Sequence, residues 1–136
     1  MEITLLTLRQ LKSFHVNKNI LIQFYRALVE SILTQSIIVW YDRATVYYKH
    51  KMQSVIRNAE KIINTKLPSL ELLYIERMEK KTYKILKDQH HPAHNYFNLL
   101  PSNRRLRSYK GCKRFTNSFF PAAVNFFNGT RGLSQI

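Results

Sequence analysis

Apolar residues spaced three or four positions apart recur through most of the first 88 residues, and this spacing constrains the fold more than any other feature. It occurs in four successive segments, which begin near residues 5, 20, 45 and 69. Such spacing places apolar side chains on one face of an α-helix, so that several helices can bury these faces against each other. We therefore predict an all-α fold, a bundle of about four helices followed by a basic, partly irregular C-terminal extension.

The expected domain boundary lies at a change of composition near residue 88. We expect the helical bundle in residues 1–88 and the basic extension, with a short terminal helix, in residues 89–136. Seven of the 22 basic residues and none of the eight acids lie after residue 88. The phenylalanine-rich stretch 119–127, with Pro121 near a helix start, is expected to form the terminal helix and to dock back onto the rest.

Residues with strong positional preferences mark where the helices of the bundle begin and end. Asn17 and Thr45 are expected to cap the second and third helices, and Ser69 to open the fourth, because their side-chain oxygens can accept hydrogen bonds from free amides. Residues 64–68 should break the chain between the third and fourth helices, since proline disfavours a helical conformation in the residue before it. The second helix is expected to continue through Ile37–Trp40, four apolar residues that imply burial on several sides.

The charge of the chain limits the kinds of partner it can have. With 22 basic and eight acidic residues, the formal charge is +14, and such an excess indicates a polyanionic partner, nucleic acid before an anionic membrane surface. Glu2 and Arg9 interrupt the apolar residues at the N-terminus, and no stretch of about 20 apolar residues exists, so we expect neither a signal peptide nor a membrane span. The single cysteine, Cys112, fits a reducing compartment. We expect nucleic acid and no membrane as partner, and an intracellular location, nuclear or cytoplasmic.

The sequence lacks the motifs of the common catalytic sites. It has no Asp-Asp pair, no His-x-Asp and no glycine-rich phosphate loop, which exclude the usual two-metal, iron and nucleotide sites. His90, His91 and His94 invite a zinc site, but adjacent histidines rarely face one ion and Cys112 lies 18 residues further on. We expect a turn with solvent-exposed histidines, no catalytic residue, no metal site and no cofactor, and therefore no enzymatic activity in the chain as it stands.

The best candidate for a functional site is a cluster of cations after residue 103. Six basic residues fall within eleven positions with no acid among them: Arg104, Arg105, Arg107, Lys110, Lys113 and Arg114. Arginine forks bind phosphate bidentately, and the interleaved Tyr109 and Phe115 could stack on bases. We predict contact with RNA or DNA here, and the alternative is a solvated loop whose arginines pair with acids elsewhere in a longer parent protein. The aromatic residues of 41–48 and 119–127 are expected in a core or domain interface instead.

Four segments in order carry a resemblance to a known family. They read LRQLKSFHVNKNILIQFYRALVESILTQSIIVW (8–40), LPSLELLY (67–74), HPAHNYFNLLPSNRRLRS (91–108) and RFTNSFFPAAVNFFN (114–128). Together they resemble the C-terminal tail of the reverse transcriptase open reading frame of LINE-type, non-LTR retrotransposons, over nearly the whole chain.

This resemblance implies that residues 1 to about 65 are thumb-like or post-thumb helices and that the rest is a nucleic-acid-binding extension. The parent would be an RNA-directed DNA polymerase, whose palm with its aspartate pair is absent here, so the missing upstream polymerase domain is an expected partner. Family members often have glycine before the paired arginines, where this chain has Asn103, a residue that tolerates the left-handed conformation.

A second, local resemblance covers residues 8–40. This stretch is similar to a segment named after the N-terminus of an AlkB-type tRNA dioxygenase and methyltransferase, AlkB homologue eight. The resemblance implies iron, 2-oxoglutarate and methyl transfer, but none of the required ligand or cofactor motifs is present in the sequence. The alternative function is therefore an accessory module of a tRNA-modifying enzyme without its active site. A third possibility is a fragment with no selected function, stable only beside a missing domain.

Overall fold

The computed structural model describes residues 2–130, and most of them are helical. The predicted all-α class is confirmed, because no strand forms within these residues, but about six helices are present where four were expected. The helices are α1 (Glu2–Ser13), α2 (residues 18–33), α3 (residues 37–43), α4 (Val46–Ile63), α5 (Leu70–Lys87) and α6 (Phe119–Thr130). Single helical turns lie at His94–Tyr96 and Lys113–Thr116.

The expected second helix is divided in two, and this division corrects the sequence-based prediction. After α-helical Lys18–Phe24 and π-helical Tyr25–Glu30, α2 ends at Leu33. Ser36 then takes a left-handed conformation with φ 53°. The Thr34 hydroxyl donates to the Glu30 carbonyl over 2.8 Å, and such side-chain bonds to the helix compete with its continuation.

The short helix α3 follows this break, and its burial is less complete than expected. It consists of an α-helical turn, Ile37–Trp40, and a 3-10 turn, Tyr41–Arg43. Of the four apolar residues in the first turn, only Ile37 is buried, and Val39 is mostly exposed. The expectation that this stretch is buried on several sides was therefore wrong.

The described residues divide into two compact units. The first unit comprises residues 2–37 and 44–74, and the second comprises residues 38–43 and 75–130. In the first unit α1, α2 and α4 pack against one another. These three helices supply most of its core: Leu8, Leu21, Tyr25, Val29, Leu33, Ile56, Ala59, Ile62 and Ile63. Ile37 and the first residues of α5 add to it: Leu70, Leu73 and Tyr74. The domain boundary expected near residue 88 stays a prediction.

Three of the predicted helix ends in the first unit are confirmed in detail. The Asn17 side chain accepts a hydrogen bond from the Asn19 amide over 3.0 Å, and Thr45 accepts one from the Tyr48 amide over 3.5 Å. Helix α4 ends at Ile63, and Asn64 takes the left-handed conformation that terminates many helices.

The loop between α4 and α5 is held by side chains that point from α4 toward it. Glu60 Oε1 accepts a hydrogen bond from the Leu67 amide, and Gln53 Oε1 accepts one from the Leu70 amide, each over 2.9 Å. The Leu70 amide is one of those left free at the start of α5, so Gln53 supplies a cap from a distant position.

The second unit has a smaller core built around the end of α5 and around α6. Buried residues come from α5, from the segment between α5 and α6, and from α6 itself: Met78, Thr82, Ile85, Phe97, Leu106, Pro121, Ala123 and Val124. The Phe120 ring stacks on Tyr96 with a centroid distance of 4.6 Å and lies edge-on to Phe97 at 5.6 Å. The predicted terminal helix, with Pro121 in its first turn, is therefore present and packed.

The aromatic residues of 41–48 and 119–127, expected in core or interface positions, differ in how far they are exposed. The four phenylalanines of 119–127 are half-buried, in agreement with a core role. Tyr47 and Tyr48, by contrast, are mostly exposed, with their rings in edge contact at 5.4 Å. These two tyrosines do not belong to the core.

Candidate nucleic-acid interface

Residues 98–107 form a tight turn with two antiparallel arms, which we call the basic hairpin. Leu99 and Leu106 form an isolated antiparallel bridge. The Leu100 amide donates to the Arg105 carbonyl over 2.9 Å, and the Arg107 amide donates to the Asn98 carbonyl over 2.7 Å. The extension is partly irregular, as predicted, and backbone hydrogen bonds hold the basic hairpin within it.

The turn of the basic hairpin is made by Asn103. Its φ of 54° lies in the left-handed region, and its amide donates to the Leu100 carbonyl over 2.8 Å. Asparagine tolerates this conformation better than other residues with a side chain, apart from a few small polar ones. The left-handed conformation considered for Asn103 is thus present.

Leu106 anchors the basic hairpin to α6. Its side chain is only 1% exposed, and burial of a leucine contributes about 1.5–3 kcal/mol. The Leu106 amide donates to Asn128 Oδ1, and Asn128 Nδ2 donates to the Leu106 carbonyl, each over 2.9 Å. Both backbone groups of the buried leucine are thereby satisfied by one side chain of α6.

The anchoring of Leu106 sets the position of the arginines. Side chains alternate between two faces along an extended strand, so Arg105 and Arg107 lie on the opposite face from buried Leu106. All six cations predicted as the site are exposed. None of them has an acidic partner in the part of the chain that the structure describes. Their charges are therefore available to an external anion.

The structure brings the two predicted stacking residues together beside the later cations. The Tyr109 and Phe115 rings lie edge to face with centroids 5.9 Å apart. The Tyr109 hydroxyl donates to the Tyr96 carbonyl, and burial, followed by the influence of Tyr96, raises the pKa of Tyr109. Tyr109 thus has a structural role, whereas Phe115 remains 44% exposed and keeps a face for stacking.

Gly111 makes room for this pair of rings. A Cβ atom at position 111 would lie 2.7 Å from Cδ1 of Phe115, which is closer than carbon atoms approach without displacement. The missing side chain therefore permits the loop 110–112 to pass against Phe115.

Two of the three histidines in the turn after α5 form hydrogen bonds with the backbone. His90 is exposed as expected, but His91 and His94 are half-buried. The Ala93 amide donates to His91 Nδ1 over 3.0 Å, and His94 Nδ1 is hydrogen-bonded to the Ile85 carbonyl over 3.1 Å. Among residues 2–130, no three His, Cys, Asp or Glu side chains lie close enough together to hold a metal ion.

Basic residues are denser in the second unit. Over the described ranges it holds twelve basic and four acidic residues, against nine basic and four acidic residues in the first unit. The second unit therefore has the stronger positive field.

A shallow cavity of about 560 Å³ lies in the first unit, at the C-terminal end of α4. Three cations and one acid contribute to its lining, which consists of Arg57, Glu60, Lys61, Asn64, Thr65 and Lys66. The carbonyl groups at a helix C-terminus carry partial negative charge, which these cations offset. The cavity is therefore a less favourable anion site than the basic hairpin.

Comparison of the chain with protein-family models, with curated proteins and with solved structures found no match. Across residues 2–130, no helix has both the length and the apolar character needed to cross a membrane.

Proposed function

We propose that the chain is a non-catalytic fragment from the C-terminal part of a LINE-type reverse transcriptase open reading frame and that it binds RNA or DNA without sequence preference. The binding residues are the cations of the basic hairpin and of the segment after it: Arg104, Arg105, Arg107, Lys110, Lys113 and Arg114. The observation that supports this proposal most is that exposed arginines without acidic partners within residues 2–130 lie on a hairpin fixed by a buried residue.

The geometry of the hairpin favours phosphate as the group bound. A guanidinium offers a planar fork of donors that matches two phosphate oxygens. Because Leu106 and Asn128 hold the backbone between Arg105 and Arg107, less conformational entropy is lost when these side chains bind. Phosphate contacts position a protein on nucleic acid without reading its sequence, which accounts for the lack of sequence preference in the proposal.

The resemblance to the retrotransposon tail supplies the biological setting of the proposal. In that setting DNA synthesis belongs to a polymerase domain, and this chain would hold the template or product strand by its phosphates. The composition of the second unit, with three basic residues for each acid, agrees with that role.

The experiment that tests the proposal is a binding series at several salt concentrations. If all six cations contact phosphates of duplex DNA, log affinity falls against log salt with a slope near −5. A hairpin variant, with Arg104→Gln, Arg105→Gln and Arg107→Gln, should weaken binding to every sequence equally and make the slope shallower by about 3.

A matched control removes the same charge elsewhere. The α4 control carries Lys51→Gln, Arg57→Gln and Lys61→Gln, three exposed cations of the first unit. If the hairpin variant and the α4 control have the same affinity and slope, the proposed binding surface is wrong.

A further inference from the structure

We propose that the exposed face of the second half of α5 is a further nucleic-acid-binding surface, suited to a single strand. We call this surface the basic stripe, and it consists of Arg77, Lys80, Lys81, Lys84 and Lys87 with Tyr83 at its edge. The inference rests on the proposed function for the class of ligand, but it concerns a different element of the chain.

The stripe follows from helical geometry. Lys80 and Lys81 are adjacent, and each cation lies three or four positions from at least one other. This spacing places them on one side of a helix, and all of them are exposed. Met78, Thr82 and Ile85 occupy the opposite side and are buried. From residue 77 to residue 87 the helix rises roughly 15 Å, which is about the axial rise of four nucleotides of one strand.

The requirements of the fold do not explain this arrangement. Cations near a helix C-terminus interact favourably with the helix dipole, but only within the last turn. Lys84 and Lys87 lie there, whereas the other three cations of the stripe lie earlier. Like charges four positions apart, such as Lys80 and Lys84, repel each other and weaken a helix.

Internal ion pairing compensates little of this repulsion. Lys80 Nζ lies 2.6 Å from Glu76 Oε1, and this hydrogen bond lowers the pKa of the Glu76 carboxyl. The charge of Arg77 also lowers the pKa of Glu76, whereas Lys81, Lys84 and Lys87 form no salt bridge within residues 2–130. One acid thus faces two of the five cations, and the net positive charge that remains on this face fits a polyanion.

Helix α4 is a basic helix of the same length as α5, but its cations do not form such a stripe. It also has 18 residues and four cations, Lys49, Lys51, Arg57 and Lys61. Lys49 and Lys51 are two positions apart and so point to nearly opposite sides of the helix. Arg57 and Lys61 are four positions apart, but no continuous row of five cations forms on α4. This makes the α4 control a suitable comparison.

The ligand is a nucleic acid rather than an anionic membrane for a reason visible in α5 itself. A helix that lies on a membrane inserts its apolar face among the lipids, but the apolar face at this end of α5, with Met78 and Ile85, is buried inside the protein. Tyr83 is 48% exposed and lies one turn from both Lys80 and Lys87. Base–aromatic stacking requires an unpaired base, so Tyr83 favours a single strand.

The test compares four proteins as full chains: the wild type, the hairpin variant, the α4 control and a stripe variant with Lys81→Gln, Lys84→Gln and Lys87→Gln. Fluorescence anisotropy measures binding to a 12-nucleotide single strand, to the duplex of the same sequence and to phosphatidylserine vesicles. The stripe variant should lose single-strand affinity relative to the α4 control, and its salt slope should become shallower by about 2.

A second variant keeps the charge and removes the ring. Tyr83→Leu should weaken single-strand binding roughly five-fold or more and leave duplex binding unchanged. This variant tests the stripe even if the lysine substitutions alter the stability of α5, because it keeps every charge. Circular dichroism of each protein shows whether its helicity is unchanged.

The outcomes separate this inference from the proposed function. If the hairpin variant binds weakly and the stripe variant matches the α4 control, the proposed function stands and the stripe is overturned. If only the stripe variant binds weakly, the hairpin is not the binding surface. A stripe variant that loses vesicle binding alone would show a membrane surface and overturn the inference, and unchanged single-strand binding of Tyr83→Leu would overturn the single-strand assignment.

Discussion

Asn128 and Leu106 exchange two hydrogen bonds although 22 residues separate them. One amide side chain thereby satisfies both backbone groups of a buried leucine that lies between two exposed arginines. The placement of Arg105 and Arg107 thus depends on a neutral residue in a different element, α6. A substitution at Asn128 can therefore alter the geometry of the binding surface without altering its charge.

The first prediction concerns this asparagine. Asn128→Ala removes both hydrogen bonds and leaves buried backbone groups of Leu106 without partners, which should lower the free energy of unfolding by about 2 kcal/mol. Nucleic-acid affinity should also fall, although no charge is removed. Urea unfolding and a binding titration measure the two effects. Asn125→Ala, at an exposed position of α6, is the control, and equal behaviour of the two variants would contradict the anchoring role.

The second prediction compares the two leucines of the hairpin bridge. Leu106 is buried, whereas Leu99 is half exposed. Leu106→Ala should lower the free energy of unfolding by about 2–4 kcal/mol because it leaves a cavity, and Leu99→Ala should cost less than about 1 kcal/mol. Urea unfolding followed by circular dichroism checks both values. Similar costs for the two variants would mean that the hairpin is not packed as described.

Local sequence information was sufficient for the helix starts but not for the hairpin. Asn17 and Thr45 act on amides two or three residues away, so their capping roles can be predicted from neighbouring residues. The bonds from Leu70 to Gln53 and from Leu106 to Asn128 join residues 17 and 22 positions apart. No periodicity or local preference indicates such pairs, and the ordered hairpin was therefore missed.

The break after α2 shows a different limit. Apolar residues continue through Ile37–Trp40, and their spacing gave no sign that the helix stops. The chain breaks because Thr34 bonds to the Glu30 carbonyl and Ser36 leaves the right-handed conformation. A large excess of cations without acidic partners, by contrast, was predictable because eight acids cannot pair 22 bases.

The third prediction concerns the buried hydroxyl of Tyr25. Within the described residues this hydroxyl has no hydrogen-bond partner, and burial, followed by Glu30 and Glu60, raises the pKa of Tyr25. Removing an unsatisfied buried group is nearly neutral or stabilising, so Tyr25→Phe should change the free energy of unfolding at pH 7 by about 0 to +1 kcal/mol.

The sign of the pH effect follows from the raised pKa. An unfolded tyrosine ionises near pH 10, whereas folded Tyr25 keeps its proton to higher pH. Its contribution to stability is therefore complete below about pH 10 and is lost as the pH rises further. Wild type should lose stability above pH 10 more steeply than Tyr25→Phe in urea unfolding. Tyr47→Phe, at an exposed tyrosine, should follow the wild type, and parallel curves for all three proteins would refute the prediction.

The last prediction concerns an apolar face that α1 leaves uncovered. Ile3 and Leu6 of α1 are 80% and 54% exposed, and Phe14 in the turn directly after the helix is 76% exposed. The spacing of Ile3 and Leu6 places them on one side of the helix, away from buried Leu8. Adjacent exposed apolar side chains favour association, while the charge of +14 opposes it at low salt. Salt screens that repulsion, so sedimentation velocity should show self-association that increases with salt concentration. Replacing these three residues by glutamine should keep the chain monomeric, whereas the same change at three exposed apolar residues elsewhere in the chain, Val46, Tyr47 and Leu72, should not. A wild-type chain that stays monomeric at every salt concentration would contradict self-association through these apolar side chains.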